Sequence, residues 1–418
     1  MDKKRKIIAA LADLKQEIAG PVPVDLISKW QQAKHDKLGQ QELLKPYERH
    51  GYIVSTDSQG LSRLTAERSL LEVMKIVSEP KEIIFEMGRR AGGRGVGIWA
   101  ADNSEMFYDA EKIAAPKLLD LMAAAQKVIH AGPLQIGMGI HKASYWEIGL
   151  SMFGVEAELV EAITEDFTAG KEIVISDTVK EQIDADWHKL LTLREDLAEF
   201  KRPFYTFNYD DLGAGHEGFK LPAPGELSKE NFYPFPFSTE FFLLIKKLGI
   251  DPKAEATLQN FFVEKTVILV KVYHKESPLL LNQLTDWVVI NALINEIVER
   301  YDVQLIKSNG DLGIFVADKE SEAVEFAEEI LTTMREGNDT VSIGLSRGDV
   351  LIFDLDIGGK DIAGGAVNFA SKVSEDIEER NTLYIEESVR IPLNHQQKYE
   401  PFSMEKSHII IKGNKYNA

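Results

Sequence analysis

"YDVQLIKSNGDLGIFVA" (residues 301–317) places a polar pentapeptide between two short apolar runs, VQLI and LGIFVA. Strand-length apolar runs joined by Ser, Asn, Gly and Asp read as a β-hairpin, because those turn residues tolerate the sharp backbone reversal. The hairpin carries Lys307, and its turn ends on Asp311. Working outward, KTVILVKV (265–272) reads as a strand and LLNQLTDWVVINALINEIVERY (280–301) as a long amphipathic helix. After the hairpin come helix ESEAVEFAEEILTTMRE (320–336), strands TVSIGL (340–345) and DVLIFDL (349–355), helix AVNFASKVSED (366–376) and strand NTLYIEE (381–387).

The same order occurs earlier in the chain. IVSTD (53–57) reads as a strand followed by a Gly turn at 60, then come helical LTAERSLLEVMKIVSE and PKEIIFEMGRR, and GVGIWA (95–100) with SEMFYDA (104–110). Helix AAPKLLDLMAAAQKV, strands PLQIGMGIH and SYWEIG, helix VEAELVEAITEDF and strand KEIVIS complete it. Fixed points support a divergent duplication: Asp57 to Asp102 spans 45 residues and Lys271 to Asp311 spans 40, while Glu158 to Ile175 and Asn368 to Ile385 both span 17. Each copy therefore reads as an antiparallel or mixed sheet with helices on one face, an α+β fold. The expected boundaries are a helical extension over 1–48, a first domain over 49–210, a linker over 211–262 and a second domain over 263–418. The linker is Gly/Pro-rich at LGAGHEGFKLPAPGELSKE and aromatic at NFYPFPFSTEFFLLI (231–245), which is expected to pack against a domain.

Composition limits the function classes. With 44% apolar and 28% charged residues the chain reads as an ordinary globular protein, and no apolar run reaches membrane-spanning length. The expected location is cytoplasmic, without membrane insertion. A net charge of −19 argues against nucleic acid as a partner. The absence of cysteine removes disulfides, thiolate metal sites and thiol nucleophiles together.

Two arrangements carry candidate chemistry. Asp57 ends a strand before a Gly turn, and Asp102 lies in the adjacent hairpin. If those strands are neighbours the carboxylates converge, and paired carboxylates without Cys or clustered His suit Mg²⁺ or Mn²⁺ carried by phosphates. The bland alternative is two turn carboxylates that cap backbone N–H groups. In the second copy Lys271 stands where the first has Asp57, so Asp311 lacks an acidic partner. Lys307, Asp361, Asn368, Lys372 and Lys412 appear there instead, beside the glycines of SNGD, AGGAVN and IKGN, which suits a polyphosphate or nucleotide pocket as well as a solvated face.

These motifs resemble the class III nucleotidyl cyclases, with two catalytic-type domains in tandem. "DSQGLS" (57–62) resembles the opening Asp-x-x-Gly-Phe-Ser/Thr motif, with Leu61 at the aromatic position. "KSNGD" matches Lys-x-x-Gly-Asp, and "DIAGGAVNFASK" (361–372) matches Asp-x-x-Gly-x-x-Val-Asn-x-Ala-x-Arg except that Lys372 stands at the arginine. "IIIKGN" (409–414) resembles the C-terminal Lys-Gly element. The resemblance implies two ferredoxin-like domains that form an intramolecular pseudo-heterodimer, so a monomer would suffice. It implies an adenylate cyclase making cyclic AMP and pyrophosphate from ATP, with Asp57 and Asp102 holding two Mg²⁺ or Mn²⁺ ions and Gly60, Leu61 and Ser62 turning around the triphosphate. Lys307 and Asp361 would recognise adenine, Asn368 would orient the ribose, Lys372 would take the transition-state role, and Lys412 would meet the terminal phosphates. The reverse combination would need Lys271 as a metal ligand with Ile98, Ser151, Glu158 and Ala162 opposite it. That cleft is expected to be degenerate: empty, structural, or open to a regulatory ligand. The rival readings are a pseudo-cyclase that binds nucleotide or scaffolds a partner, and a phosphatase or polymerase with similar two-metal chemistry.

Overall fold

The computed structural model describes residues 23–97, 99, 103–149, 151–212, 238–273, 277–309, 312–337, 339–355, 359–375, 377, 379–406 and 409–417. The chain divides into two compact units, Leu44–Glu255 and a second comprising Met1–Leu43 with Ala256–Ala418. Residues 98, 102, 310, 311 and 213–237 lie outside the description, so Ile98, Asp102, Asp311, most of the Gly/Pro-rich linker stretch and residues 231–237 of the aromatic one do too.

In the first unit the described strands are β1 (Glu48–Gln59), β2 (Arg94–Gly95), β3 (Asn103–Asp109), β4 (Gln135–Ile148), β5 (Ser151–Phe153), β6 (Ile173–Ser176), β7 (Leu191–Leu193) and β8 (Phe204–Phe207). Their order is β2-β3-β1-β4-β6-β8-β7, with β5 paired to β4. In the second unit they are β9 (Phe262–Tyr273), β10 (Val303–Asn309), β11 (Leu312–Ala317), β12 (Thr340–Asp354), β13 (Lys360–Gly364), β14 (Thr382–Glu386), β15 (Tyr399–Lys406) and β16 (Ile409–Tyr416). The order β10-β11-β9-β12-β14-β16-β15, with β13 on β12, repeats the first sheet strand for strand. Within it, β9, helix Leu280–Val298, β10, β11, helix Glu320–Glu336 and β12 form a βαββαβ core, as do their first-unit counterparts around helices Leu70–Arg90 and Ala115–Ile129. The chain is thus a tandem of ferredoxin-like α+β units.

Local sequence explains the elements. Helix Leu70–Arg90 starts at a capping box, with Ser69 accepting the Glu72 amide and the Glu72 side chain accepting the Ser69 amide. Helix Glu320–Glu336 buries Ala323, Val324, Ala327, Ile330, Leu331 and Met334, the three-to-four-residue spacing of one helix face. Linker residues Thr239–Lys246 form a helix capped by Ser238, and Lys246 pairs with buried Glu82 of helix Leu70–Arg90.

One expectation is corrected: helices do not cover one face of each sheet but both. In β9, Ile268, Val270 and Val272 pack in the core with helix Glu320–Glu336, whereas Val267 and Leu269 pack with Ala366 and Ala370 of helix Gly365–Glu375. The almost wholly apolar KTVILVKV is what a strand buried on both faces requires. Close approach of the second-face helix depends on a glycine. A Cβ on Gly344 would lie 2.2 Å from the Ala370 carbonyl oxygen, and one on Gly139 would meet Thr164 Oγ1 at 2.2 Å and the Val160 carbonyl at 3.4 Å.

The N-terminal helix Val24–Gln32 belongs with the second unit. Trp30, 1% exposed, donates from its indole to Asn282 Oδ1 at 3.1 Å, and Gln40 Oε1 accepts the Leu281 amide at 3.0 Å. Helix Leu280–Val298 has no side-chain cap of its own at Leu279, so a residue far upstream satisfies one of its first-turn amides. Trp30→Ala is expected to lower the second unit's unfolding free energy by about 3–5 kcal/mol in chemical denaturation. A loss below about 1 kcal/mol would show that this docking contributes little.

Candidate functional site

Two of the sequence-selected groups of the second unit, Lys307 of β10 and Asp361 of β13, meet. Lys307 Nζ lies 3.0 Å from Asp361 Oδ2, with side-chain exposures of 20% and 8%. Asp361 Oδ1 accepts the Ile362 amide at 2.8 Å, so the buried carboxylate is held at both oxygens. Register places these residues. The β10–β11 pairing shifts between Leu305 and Lys307, so Ile306 is an extra residue and Lys307 pairs with Ile314. Ile306 and Ile314 both join the core beneath helix Gly365–Glu375, the face on which Ile362 lies beside Asp361. The lysine therefore stands within a bulged strand rather than in the turn.

Chain continuing from Asp361 passes Gly364 and enters helix Gly365–Glu375. Asn368 is exposed and Lys372 half-buried in its last turn. Four residues apart, they share one helix face. Among the described residues neither side chain makes a hydrogen bond or ion pair. Lys412, beside Gly413, lies in the interior of β16, where it pairs with Ser403 and is exposed. Gly413 is there for space: a Cβ would sit 2.1 Å from the Ile385 carbonyl oxygen.

In the first unit Asp57 is half-buried near the end of β1, paired with Asn103 of β3 and Gly137 of β4. Gly60, with φ of 88°, turns the chain into the short helix Leu61–Glu67. Only glycine adopts that φ without strain. Leu61 is half-buried, and Ser62 opens the same turn. Asp57, Ser55 and Ile53 alternate onto the sheet face covered by helix Val155–Phe167, where Ile53 packs with Phe107, Ala157 and Val160. Glu105, paired with Ser55, projects onto that face too. Burial, with the nearby Glu161 charge adding to it, pushes the Glu105 carboxyl up to about 8.

The Glu105 environment has a pH consequence. A carboxyl raised in the folded state contributes its full share of stability below its ordinary value of 4.5 and loses it as pH climbs to about 8. Glu105→Gln cannot ionise. Its Tm should match wild type at pH 5 and exceed it by roughly 4 °C or more at pH 8. Equal shifts at both pH values would refute the assignment.

Pairing registers test the internal alignment directly. Asp57 pairs with Asn103, and Lys271 pairs with Leu312, so Lys271 occupies the place of Asp57. Ile148 pairs with Ser151 as Phe353 pairs with Asp361, which puts Ser151 at the aspartate position. Glu158 and Ala162 lie on the helix equivalent to that of Asn368 and Lys372. The copies are complementary in chemistry: the first has Asp57 where the second has a lysine, and the second has Asp361 and Asn368 where the first has Ser and Glu. Among the described residues no group of three or more His, Asp or Glu is arranged to hold a metal ion. No described helix is long and apolar enough to cross a membrane.

Glu105 was not singled out from sequence, although its signal is visible: an acid at an inward position of the strand SEMFYD. Asn291 was missed as well. It is a lone amide within the apolar helical run VVINALI, and it accepts a hydrogen bond from Ser308 beside Lys307 at 3.3 Å.

No family model matches the chain, and no curated protein matches it. Solved structures do. A class III adenylyl cyclase-like ATP-binding protein from Pseudomonas aeruginosa is similar at 11% identity, with 92% of this chain and 91% of that chain covered and a TM-score of 0.49. The adenylyl cyclase CyaB from P. aeruginosa is similar at 17% identity over 38% of this chain and 94% of its own, with a TM-score of 0.33. The guanylyl cyclase Cya2 is similar at 16% identity over 42% and 98%, with a TM-score of 0.34.

Proposed function

We propose that the chain is an adenylate cyclase, converting ATP to 3′,5′-cyclic AMP and pyrophosphate. The observation that supports this most is the Lys307–Asp361 pair, held at 3.0 Å on the unit whose helix carries Asn368 and Lys372. An ammonium has three protons, and only one is engaged by Asp361. The others can be donated to adenine N1, while Asp361 accepts from the 6-amino group. Guanine reverses both partners: its N1–H would face the ammonium and its O6 the carboxylate.

In this reading Asn368 orients the ribose, Lys372 lies against the α-phosphate, and Lys412 meets the terminal phosphates. Gly60, Leu61 and Ser62 provide the turn around the triphosphate. Asp57 and Asp102 would hold two Mg²⁺ or Mn²⁺ ions, and oxygen donors without thiolate or clustered imidazole fit such hard cations. Bound there, the ions would lower the pKa of the 3′-hydroxyl and neutralise phosphate charge. O3′ attacks the α-phosphorus, the bond from that phosphorus to the bridging oxygen breaks, pyrophosphate departs and the hydroxyl proton passes to solvent. Lys372 offsets charge that develops on the phosphoryl oxygens, and Asn368 holds the sugar for in-line approach.

Lys372 keeps the charge of the arginine expected there but lacks its planar two-pronged donor. Lys372→Arg is therefore expected to raise kcat about tenfold with little change in KM for ATP. Unchanged or lower cyclase activity would argue against this role. The same lysine favours a second reading, a nucleotide-binding pseudo-cyclase, for which ATP binds and is recovered intact in both forms.

A further inference from the structure

We propose that Asn291 is a positioning residue for Lys307: by accepting the Ser308 hydroxyl, it fixes the end of β10 and so aims the ammonium that meets the purine. This rests on the reading of Lys307 as the base-recognising group. Asn291 sits in helix Leu280–Val298 between buried Val288, Ile290 and Ile294, and is itself 8% exposed. Its Oδ1 accepts Ser308 Oγ at 3.3 Å, while its Nδ2 is buried without a hydrogen-bond partner among the described residues. A leucine of similar size would avoid that unsatisfied donor, so internal stability does not account for an amide here. What leucine lacks is the acceptor for Ser308.

β10 needs such a tie. Its ladder is irregular between Leu305 and Lys307, and a bulge leaves local pairing weakened. Ser308 stands opposite Gly313, which offers no side chain to pack against it. Lys307 is thus constrained twice, its ammonium by Asp361 at 3.0 Å and its neighbouring residue Ser308 by the helix. The helix is itself anchored near its start, where Gln40 takes the Leu281 amide and Trp30 bonds Asn282. Asn291 follows that anchor by about 14 Å of regular helix, so its height along β10 is set.

The test uses the intact chain with Asn291→Leu, Ser308→Ala and the conservative Ser308→Thr. One readout is the NMR signal of the Lys307 ammonium in nucleotide-free protein, assigned with Lys307→Arg. The other is the ratio of ATP to GTP affinity by calorimetry. Asn291→Leu and Ser308→Ala should move the Lys307 signal toward that of solvent-exposed lysines and weaken ATP binding about tenfold. GTP binding should change little, and Ser308→Thr should restore both readouts. Asn291→Leu should keep or raise Tm, a direction opposite to its effect on ATP. An unmoved Lys307 signal in both Asn291→Leu and Ser308→Ala overturns the proposal. If wild type shows no preference between nucleotides while the Lys307 signal moves, positioning stands and base recognition fails.

Discussion

Asp57→Ala should lower cyclic AMP formation at least about 10²- to 10³-fold while leaving the fold intact, because on the proposed reading it removes charge from the reacting centre rather than from the core. Asp57 is half-buried near the end of β1, beyond the apolar stretch at Ile53 and Val54, so its truncation opens no core cavity. Asp57→Asn keeps the shape and removes the charge, and should lose nearly as much activity. Lys271, at the matching register position of the second unit, supplies the control. Lys271→Ala should change turnover by no more than a few-fold, since a protonated ammonium cannot hold a cation. Cyclic AMP production quantified at saturating Mn²⁺ distinguishes the two. Comparable losses in both variants would show that the copies are not specialised as their chemistry suggests.

The second large effect concerns the base. Lys307→Ala should remove most discrimination for ATP over GTP, expected at about 10²-fold or more in wild type, because a site built on matched donors and acceptors rejects a mismatched edge strongly. It should also destabilise the second unit by about 3 kcal/mol, since Asp361, its side chain 8% exposed, is left charged with the Ile362 amide as its remaining partner among the described residues. The double variant Lys307→Ala/Asp361→Asn separates these consequences. Removing the orphaned charge should restore much of the Tm without restoring ATP preference. Recovery of both by the double variant would mean that the pair is structural and does not read the base.

Much of the fold was legible because its helices and central strands carry strong periodicity, and Val155–Phe167 and Glu320–Glu336 coincide with the expected helical runs. Two strand pairs were not legible as continuous. PLQIGMGIH and SYWEIG form the single β4 because His141, which interrupts the apolar run, is fully buried and bonded to Ser176 and Glu156. TVSIGL and DVLIFDL form the single β12 because Arg347 is satisfied by Glu264, Thr266 and the Asp318 carbonyl. In both cases the compensating partners come from distant sequence. β15 was obscured by Pro401, which an edge strand accommodates and a central one does not.

The candidate site was partly legible for a similar reason. Lys307 and Asp361 are 54 positions apart in sequence yet 3.0 Å apart in space, and motif order rather than local pattern relates them. The bulge that directs Lys307 leaves no mark in composition, because either Ile306 or Lys307 could have been the inward residue. Helix faces were misjudged because a continuous apolar run such as KTVILVKV reports that a strand is buried on both sides without saying what covers each.

The most direct measurement is the fate of ATP incubated with purified wild-type chain and Mn²⁺, followed by separation of nucleotides by mass. The account predicts 3′,5′-cyclic AMP and pyrophosphate in equal amounts, with far less cyclic GMP from GTP. ATP recovered intact, hydrolysis to ADP and phosphate, or equal cyclisation of both nucleotides would contradict it.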